Sequence, residues 1–340
     1  MNEKILSISI AAYNVEQFLS EALDSIAKCP MANRIEVIVV NDGSTDSTLE
    51  IANDYAKRFP GVVRVIDKAN GGYGSTINES IKVATGMYFR LLDGDDWLDS
   101  SELGKLVEYL RGSEADLIVT KYRSVRGNEE KIVSLDWPYD GKTYPIEDRL
   151  DYSYAMHMLA FRTNMLRSVL VEFPIKEHAS YTDAEFDLKG ISASKTVAFV
   201  DLDVYRYRLG REGQSVELSS WFRHIGMACA VTLGLCRYYS DVIIEDKNIS
   251  EPVKEWAYRQ CAGSVGYKCK LMKMMGLGSA TRRRISIFLA DVGAIDSDLR
   301  DAVLNRDQSL SYALNDKPLR FAISALPTRA IAIIQIHRGR

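Results

Sequence analysis

Four short apolar runs, Ile5–Ala12, Ile35–Val40, Val62–Asp67 and Met87–Leu92, alternate with helix-patterned segments in the first part of the chain. The segment Val15–Lys28 shows the pattern best, with Phe18, Leu19, Ala22, Leu23 and Ile26 on one face. Thr45–Phe59, a stretch ending near Ala84, and Ser101–Arg111 follow the other three runs, and a fifth run is Asp116–Thr120. Strands alternating with helices through short loops predict a mostly parallel sheet of Rossmann-like α/β type, flanked by helices on both faces. In such sheets ligands sit outside the carboxyl ends of the strands, so residues just after each run are the first candidates for chemistry.

The rest of the chain is less regular. Tyr122–Tyr144 holds Arg-Gly-Asn and Asp-Gly turn signals and reads as a β-hairpin excursion. Thr182–Ala193 reads as a helix, Val197–Val200 and Val204–Leu209 as short strands, and Ser219 to about Leu304 as helical. These patterns divide the chain into a sheet domain, residues 1–216, and a helical C-terminal region, residues 217–340, with no internal repeat and no low-complexity linker.

A net charge of -3 gives no global attraction to nucleic acid or to an anionic membrane, so any anionic ligand must be held by local groups. Cys29, Cys229, Cys236, Cys261 and Cys269 show no CxxC spacing, which points to reduced thiols and a cytoplasmic setting. The N-terminus reads as a strand rather than a signal peptide, and no apolar run approaches the length needed to span a bilayer.

Asp93-Gly94-Asp95-Asp96 follows the fourth run directly. Three carboxylates in four residues repel one another unless solvent or a cation absorbs the charge. A calcium loop of EF-hand type fails, because its sixth and twelfth positions would be Leu98 and Gly104. Mn²⁺ or Mg²⁺ bridging carboxylates and a diphosphate fits better. The bland alternative is a solvated turn, with Asp99 or Ser100 capping the next helix. Asp42, at the end of the second run, reads either as part of a turn before a helix cap or as an acceptor for a nucleotide base or ribose. Asn70-Gly71-Gly72-Tyr73-Gly74 lacks P-loop and dinucleotide spacing, so a tight loop needing positive φ is favoured over a phosphate cradle.

Thr182-Asp183-Ala184-Glu185 fits a capping box, which accounts for Thr182 and Glu185 but not for Asp183. In the first helical turn the helix dipole keeps Asp183 ionised, as a general base for a sugar hydroxyl requires. Arg206, Arg208 and Arg211 form either a solvated edge or a mobile loop whose Arg211 meets diphosphate oxygens. The histidines are scattered without i,i+4 pairs, and His157, among Met156, Met158 and Leu159, reads as a core or pocket-wall residue.

Taken together, Ser9-Ile10-Ala11-Ala12-Tyr13-Asn14, Val40-Asn41-Asp42-Gly43-Ser44-Thr45-Asp46, Asn70-Gly71-Gly72, Ala84-Thr85-Gly86 and Leu92-Asp93-Gly94-Asp95-Asp96-Trp97 resemble the family 2 glycosyltransferases, which have the GT-A fold. Tyr181-Thr182-Asp183 and Tyr205-Arg206-Tyr207, with Gly210 to Val216, resemble a bacterial subgroup that builds surface polysaccharides or glycoconjugates. The resemblance implies a nucleotide-sugar donor, a divalent cation (Mn²⁺ or Mg²⁺) and inversion at the anomeric carbon. It implies nucleobase binding by Asp42, a ribose-proximal and metal-proximal Asp93, metal binding by Asp95, and acceptor deprotonation by Asp183. It also assigns Ala12, Tyr13, Asn14, Asn70, Gly71, Gly72, Asn78, Gly94 and Arg211 to the donor site.

Two departures matter. Thr76-Ile77-Asn78 stands where many relatives have Ala-Arg-Asn, leaving Arg90 or Arg211 to supply the missing charge. The Gln-x-x-Arg-Trp motif of processive synthases is absent, which favours transfer of a single sugar. The implied acceptor is a glycan or a lipid- or protein-linked sugar. Competing readings are a catalytically inactive sugar-nucleotide-binding scaffold and a sugar nucleotidyltransferase; the latter lacks its loop, since Tyr13-Asn14-Val15-Glu16 occupies that place. For the C-terminal segment Leu319–Ile336, packing on the protein is favoured over a homo-oligomer contact or a peripheral contact at the inner face of the membrane.

Overall fold

A computed structural model describes residues 3–151, 153–211, 214–215, 217–315 and 317–338, with side chains as far as Ile331. The expected boundary at residue 216 and the Glu212-Gly213 part of the arginine loop lie outside the described residues. The chain divides into two compact units, Met1–Glu212 and Gly213–Arg340.

The first unit is built on one sheet. Its strands are β1 (Leu6–Ala12), β2 (Ile35–Asp42), β3 (Val63–Lys68), β4 (Tyr88–Asp93), β5 (Trp97–Leu98), β6 (Leu117–Arg126), β7 (Glu129–Val133), β8 (Asp140–Pro145), β9 (Leu159–Arg162) and β10 (Thr196–Arg208). The helices are α1 (Leu19–Ala27), α2 (Thr48–Arg58), α3 (Tyr73–Val83), α4 (Ser100–Gly112), α5 (Thr163–Glu172) and α6 (Asp183–Ala193). Strand order is β3-β2-β1-β4-β9-β6-β10-β5, with β7 on β6 and β8 on β10. The half read from the apolar runs, β3-β2-β1-β4, is parallel throughout. Beyond it the sheet is mixed: β9 enters antiparallel between β4 and β6, while β6 and β10 pair in parallel.

Period-two alternation separates the two faces of β1. Leu6, Ile8, Ile10 and Ala12 join a core with Leu19, Leu23 and Ile26 of α1 and Leu103, Leu106 and Leu110 of α4. On the other face Ser9 donates to Ser80 of α3 (2.8 Å), and Ser7 bonds Glu36 and the Gly86 amide. Each fully buried Leu or Ile stabilises the fold by about 1.5–3 kcal/mol, so the apolar face dominates.

Three expectations change on inspection. β7 does pair back on β6 around Gly127, whose φ is +58°, but β8 leaves the hairpin and pairs with β10 instead. The two short strands expected at 197–200 and 204–209 are one strand, β10, whose register shifts between Val200 and Tyr205, where the Asp-Leu-Asp interruption falls. The expected first helix starts at Leu19 rather than Val15, because the Val15 amide is taken by Thr48 and Asn14 is held against Thr45.

The second unit is helical: α7 (Leu218–Tyr238), α8 (Glu251–Met275), α9 (Ser279–Ile295), α10 (Ser297–Arg306), α11 (Gln308–Leu314) and α12 (Pro318–Arg338). Its core holds Trp256, Val265, Leu289, Val292, Leu310 and Phe321. All five cysteines of the chain are unbonded. Among the described residues no helix is long and apolar enough to cross a membrane.

Candidate active site

The loops after β1, β2 and β4 meet at the carboxyl edge of the parallel half. Asn14, at φ 52°, accepts from the Thr45 amide (2.8 Å), and the Asn14 amide donates to Ser44, which fastens the β1 and β2 ends together. Ala12 is buried, whereas Tyr13 is exposed. Asp42 is buried and fully engaged. It accepts from Lys68 Nζ (2.8 Å), the Gly71 amide (2.8 Å) and Ser75 Oγ through Oδ1, and from the Gly72 amide (2.8 Å) through Oδ2. Asn70 donates to the Asp42 carbonyl. The Gly-rich loop is therefore folded around a carboxylate of its own chain, and its amides are used there rather than on a phosphate. Gly72 sits at φ 80°, and a Cβ on Gly74 would lie 2.2 Å from the Lys176 carbonyl oxygen, so both glycines are required by backbone geometry.

The acid cluster at the end of β4 is organised by aromatic hydroxyls and arginines. Asp93 accepts from the Tyr73 hydroxyl (2.7 Å). Asp96, only 1% exposed, accepts from the Tyr205 hydroxyl (2.7 Å) and the Arg208 amide (2.7 Å). Tyr205 also accepts from the Asp93 amide, and Arg208 donates to the Asp95 carbonyl. Asp95 pairs with Arg211 at 2.7 Å. Asp99 caps α4 by accepting from the Ser101 and Glu102 amides and pairs with Arg206. A Cβ on Gly94 would lie 2.7 Å from the Ala11 carbonyl oxygen, so this turn rests directly on the end of β1.

The charge problem visible in the sequence is thus only partly relieved. Burial first, and then the neighbouring Asp95 carboxylate, push Asp93 up to about 7, with the Tyr73 hydroxyl pulling the other way. Burial and the Asp93 and Asp95 charges hold Asp96 well above the usual carboxylate range. His157 stands opposite, in a cage of Tyr122, Tyr205 and Tyr207 rings with centroids 4.3–5.1 Å away. Burial, and then the Arg90 charge, push His157 down to about 3, so it is neutral at ordinary pH. Its Nδ1 is buried without a hydrogen-bond partner. Ligand atoms of Asp93, Asp96 and His157 lie within 4.8 Å of one another. Two carboxylates short of positive charge beside an unpartnered neutral imidazole form a donor set that suits Mn²⁺ or Mg²⁺.

Asp183 opens α6. Its charge is felt at Asp93, at Tyr73 and at Asp187 one turn along the same helix. Asp187 has Oδ1 buried without a partner, and burial followed by the Asp183 charge raises it well above its ordinary value. The capping box expected here does not form. Thr182 already has helical dihedrals and its hydroxyl makes no cap bond, while Glu185 accepts from the Lys176 amide and pairs with Lys189.

Of the residues expected at the site, Asp93, Gly94, Asp95, Asp183 and Arg211 are brought together. Ala12, Asn14, Asp42, Asn70, Gly71 and Gly72 form the adjoining loop edge. Asn78 is not part of it: its buried amide bonds Ile175 in both directions and reaches Glu177. Arg90 is fully buried and donates to the His157 carbonyl, so of the two candidates Arg211 is the arginine that reaches the acids. Sequence reasoning missed Tyr73, Tyr205 and Asp187. The i,i+4 spacing of Asp183 and Asp187 was the one local signal for the last of these.

A parallel sheet edge carrying this acid cluster, continued by an antiparallel strand and a helix bearing a further acid, is the GT-A glycosyltransferase architecture. The crystal structure of S. aureus TarS 1-349 in complex with UDP-GlcNAc superposes with a TM-score of 0.68 at 18% identity, covering 96% of this chain and 92% of that one. Residues 7–171, just under half of the chain, match the glycosyl transferase family 2 model. EpsH of Bacillus subtilis is 27% identical over 219 residues, 62% of either chain. The poly(ribitol-phosphate) beta-glucosyltransferase of Bacillus spizizenii is 29% identical over 220 residues, 63% of this chain and 34% of that protein. The chain thus spans between about a third and somewhat under two thirds of these two curated relatives.

Proposed function

We propose that the protein transfers one sugar from a nucleotide-diphosphate sugar, of the UDP type, to a hydroxyl of a glycan or glycoconjugate acceptor, with inversion at the anomeric carbon. The observation that carries this reading is the electrostatic proximity of Asp183 to Asp93 and to Tyr73, whose hydroxyl donates to Asp93. A donor held by its diphosphate at the cluster would present its anomeric carbon toward the acid on α6. Support for the donor class comes from the UDP-GlcNAc complex of TarS, and for the acceptor class from the poly(ribitol-phosphate) transferase.

In this reading Asp183 takes the acceptor hydroxyl proton as that oxygen bonds to the anomeric carbon and the bond to the diphosphate oxygen breaks. Asp93, Asp96 and His157 would hold the divalent cation, which when bound supplies positive charge against the leaving diphosphate. Arg211, paired with Asp95 here, would turn to the diphosphate oxygens of a bound donor, and Asp95 would then add its charge to the acids that could hold the cation. Ala12, Tyr13, Asn14 and the Asn70–Gly72 loop folded around Asp42 wall the nucleoside side of the site. Burial and the Asp183 charge raise Asp187 well above its ordinary value, which disfavours a second negative charge one turn from Asp183.

The test is turnover of UDP-hexoses and UDP-N-acetylhexosamines with Mn²⁺, paired with Asp183→Asn. A positioned base contributes about 10² to 10⁴ in rate, so the variant should lose kcat by that factor while donor affinity by calorimetry stays within about threefold. Full turnover in the variant, or loss of donor binding, overturns the assignment. Binding without turnover in the native protein would favour a sugar-nucleotide-binding scaffold.

A further inference from the structure

Among its described side chains, which end at Ile331, the helix α12 carries two apolar faces, and one of them is left exposed. Phe321 and Ala325 are fully buried in the second unit. Leu319, Ile323 and Leu326 are 72%, 60% and 55% exposed, at spacings of four and three residues that place them on one line. Pro327 and Ala330 are exposed on the same side, which makes a stripe about 100° wide, the width a helix normally hides. Contiguous apolar surface of this kind marks an interaction site in a soluble protein.

Charge decides what covers it. The helix contains Arg320, Arg329 and Arg338 and no Asp or Glu, and Lys317 immediately precedes it. Residues 213–340 hold 18 Lys and Arg against 12 Asp and Glu, a net +6, although the whole chain is acidic. Exposed Arg320 borders the stripe with its guanidinium over the Tyr312 ring, whereas Arg329 is turned onto the Met274 carbonyl. A second copy of this helix would set arginine against arginine with no acid to answer it, in either orientation. A bilayer bearing anionic headgroups offers both halves of the match: hydrocarbon for the stripe and phosphate for its cationic border.

We propose that α12 lies in the plane of an anionic phospholipid surface, with Leu319, Ile323 and Leu326 inserted below the headgroups and Lys317 and Arg320 among them. The helix is not long and apolar enough to span, so the contact is peripheral and reversible. It rests on the second unit alone and holds whether or not the first unit transfers sugars.

Vesicle co-sedimentation of the full chain tests it without any donor or acceptor. Binding is expected to phosphatidylcholine vesicles containing phosphatidylglycerol, with little to phosphatidylcholine alone, and raised salt should weaken it. The triple variant Leu319→Ser/Ile323→Ser/Leu326→Ser should bind at least about tenfold less, at an unchanged melting temperature because these side chains are solvated. Lys317→Glu/Arg320→Glu keeps the stripe and should lose the preference for phosphatidylglycerol. Failure to bind phosphatidylglycerol vesicles at low salt, or native-level binding by the triple variant, overturns the proposal. So does light scattering that shows the native chain as a dimer which the triple variant converts to monomer, since that would identify the stripe as a subunit contact.

Discussion

Asp42 and Asp93 end β2 and β4, the two neighbours of β1, and in the sequence they look alike: an acid followed by glycine after an apolar run. Their surroundings are opposite. Asp42 is answered by a lysine ammonium, two amides and a hydroxyl, so its charge is settled within the fold. Asp93 has one phenol and is crowded by Asp95, Asp96 and Asp183. A saturated carboxylate organises a loop; an under-compensated one is held ready for a cation or a proton. Strand-end acids therefore divide by the partners they find rather than by their motif.

The largest test of that contrast is Asp93→Asn. If the cluster exists to meet a cation, this variant should cut Mn²⁺-dependent turnover by at least about 10². The cation-free protein should meanwhile melt higher, because a buried like charge has been removed. A lower melting temperature would mean that Asp93, like Asp42, is structurally satisfied. Asp42→Asn should do the reverse. It strips charge from bonds made by Lys68 and two amides, each charged bond being worth about 1.5–3 kcal/mol before solvent screening of the partly exposed lysine. A net loss of about 2 kcal/mol, or roughly 4–8 °C in melting temperature, is expected. An unchanged melt with lost nucleotide selectivity would return Asp42 to the base-reading role. Arg211→Ala is smaller still: donor affinity should fall by about tenfold, the scale of one charge-assisted contact, with little change in thermal stability.

The parallel half of the sheet was legible because apolar runs, helical spacing and strand-end acids agree there. The acids themselves were legible as a charge problem, but not who solves it. Tyr73, Tyr205 and Arg208 lie up to 113 residues from the acids they bond, and no local pattern carries such pairing. The strand β9 was missed because four residues are too few for a period, and β10 was split because its bulge interrupts the alternation. At α6 a genuine local signal misled: Thr182 and Glu185 have capping-box spacing, yet Glu185 is worth more on the Lys176 amide and Lys189 in a buried setting.

The smallest effect is also the most specific. Between 3.8 and about 7 the folded chain keeps a proton on Asp93 that the unfolded chain has released, so stability falls as pH rises through that window and levels off above it. Asp96 and Asp187, also raised, act in the same direction. His157 opposes them, because the unfolded chain binds its proton below 6.5 and the folded chain does so only near 3. Above 6.5 the histidine contribution is spent and the carboxyls act alone. Without metal, stability should therefore decline from about pH 6.5 to about pH 7.5, by no more than about 1.4 kcal/mol for each group that titrates there, and the melting temperature should fall with it. Saturating Mn²⁺ should reverse the slope, since the cation binds the ionised cluster and displaces its protons. Asp42→Asn should leave the slope intact and Asp93→Asn should flatten it. A native slope that survives Asp93→Asn would place the under-compensated charge elsewhere, at Asp96 or Asp187.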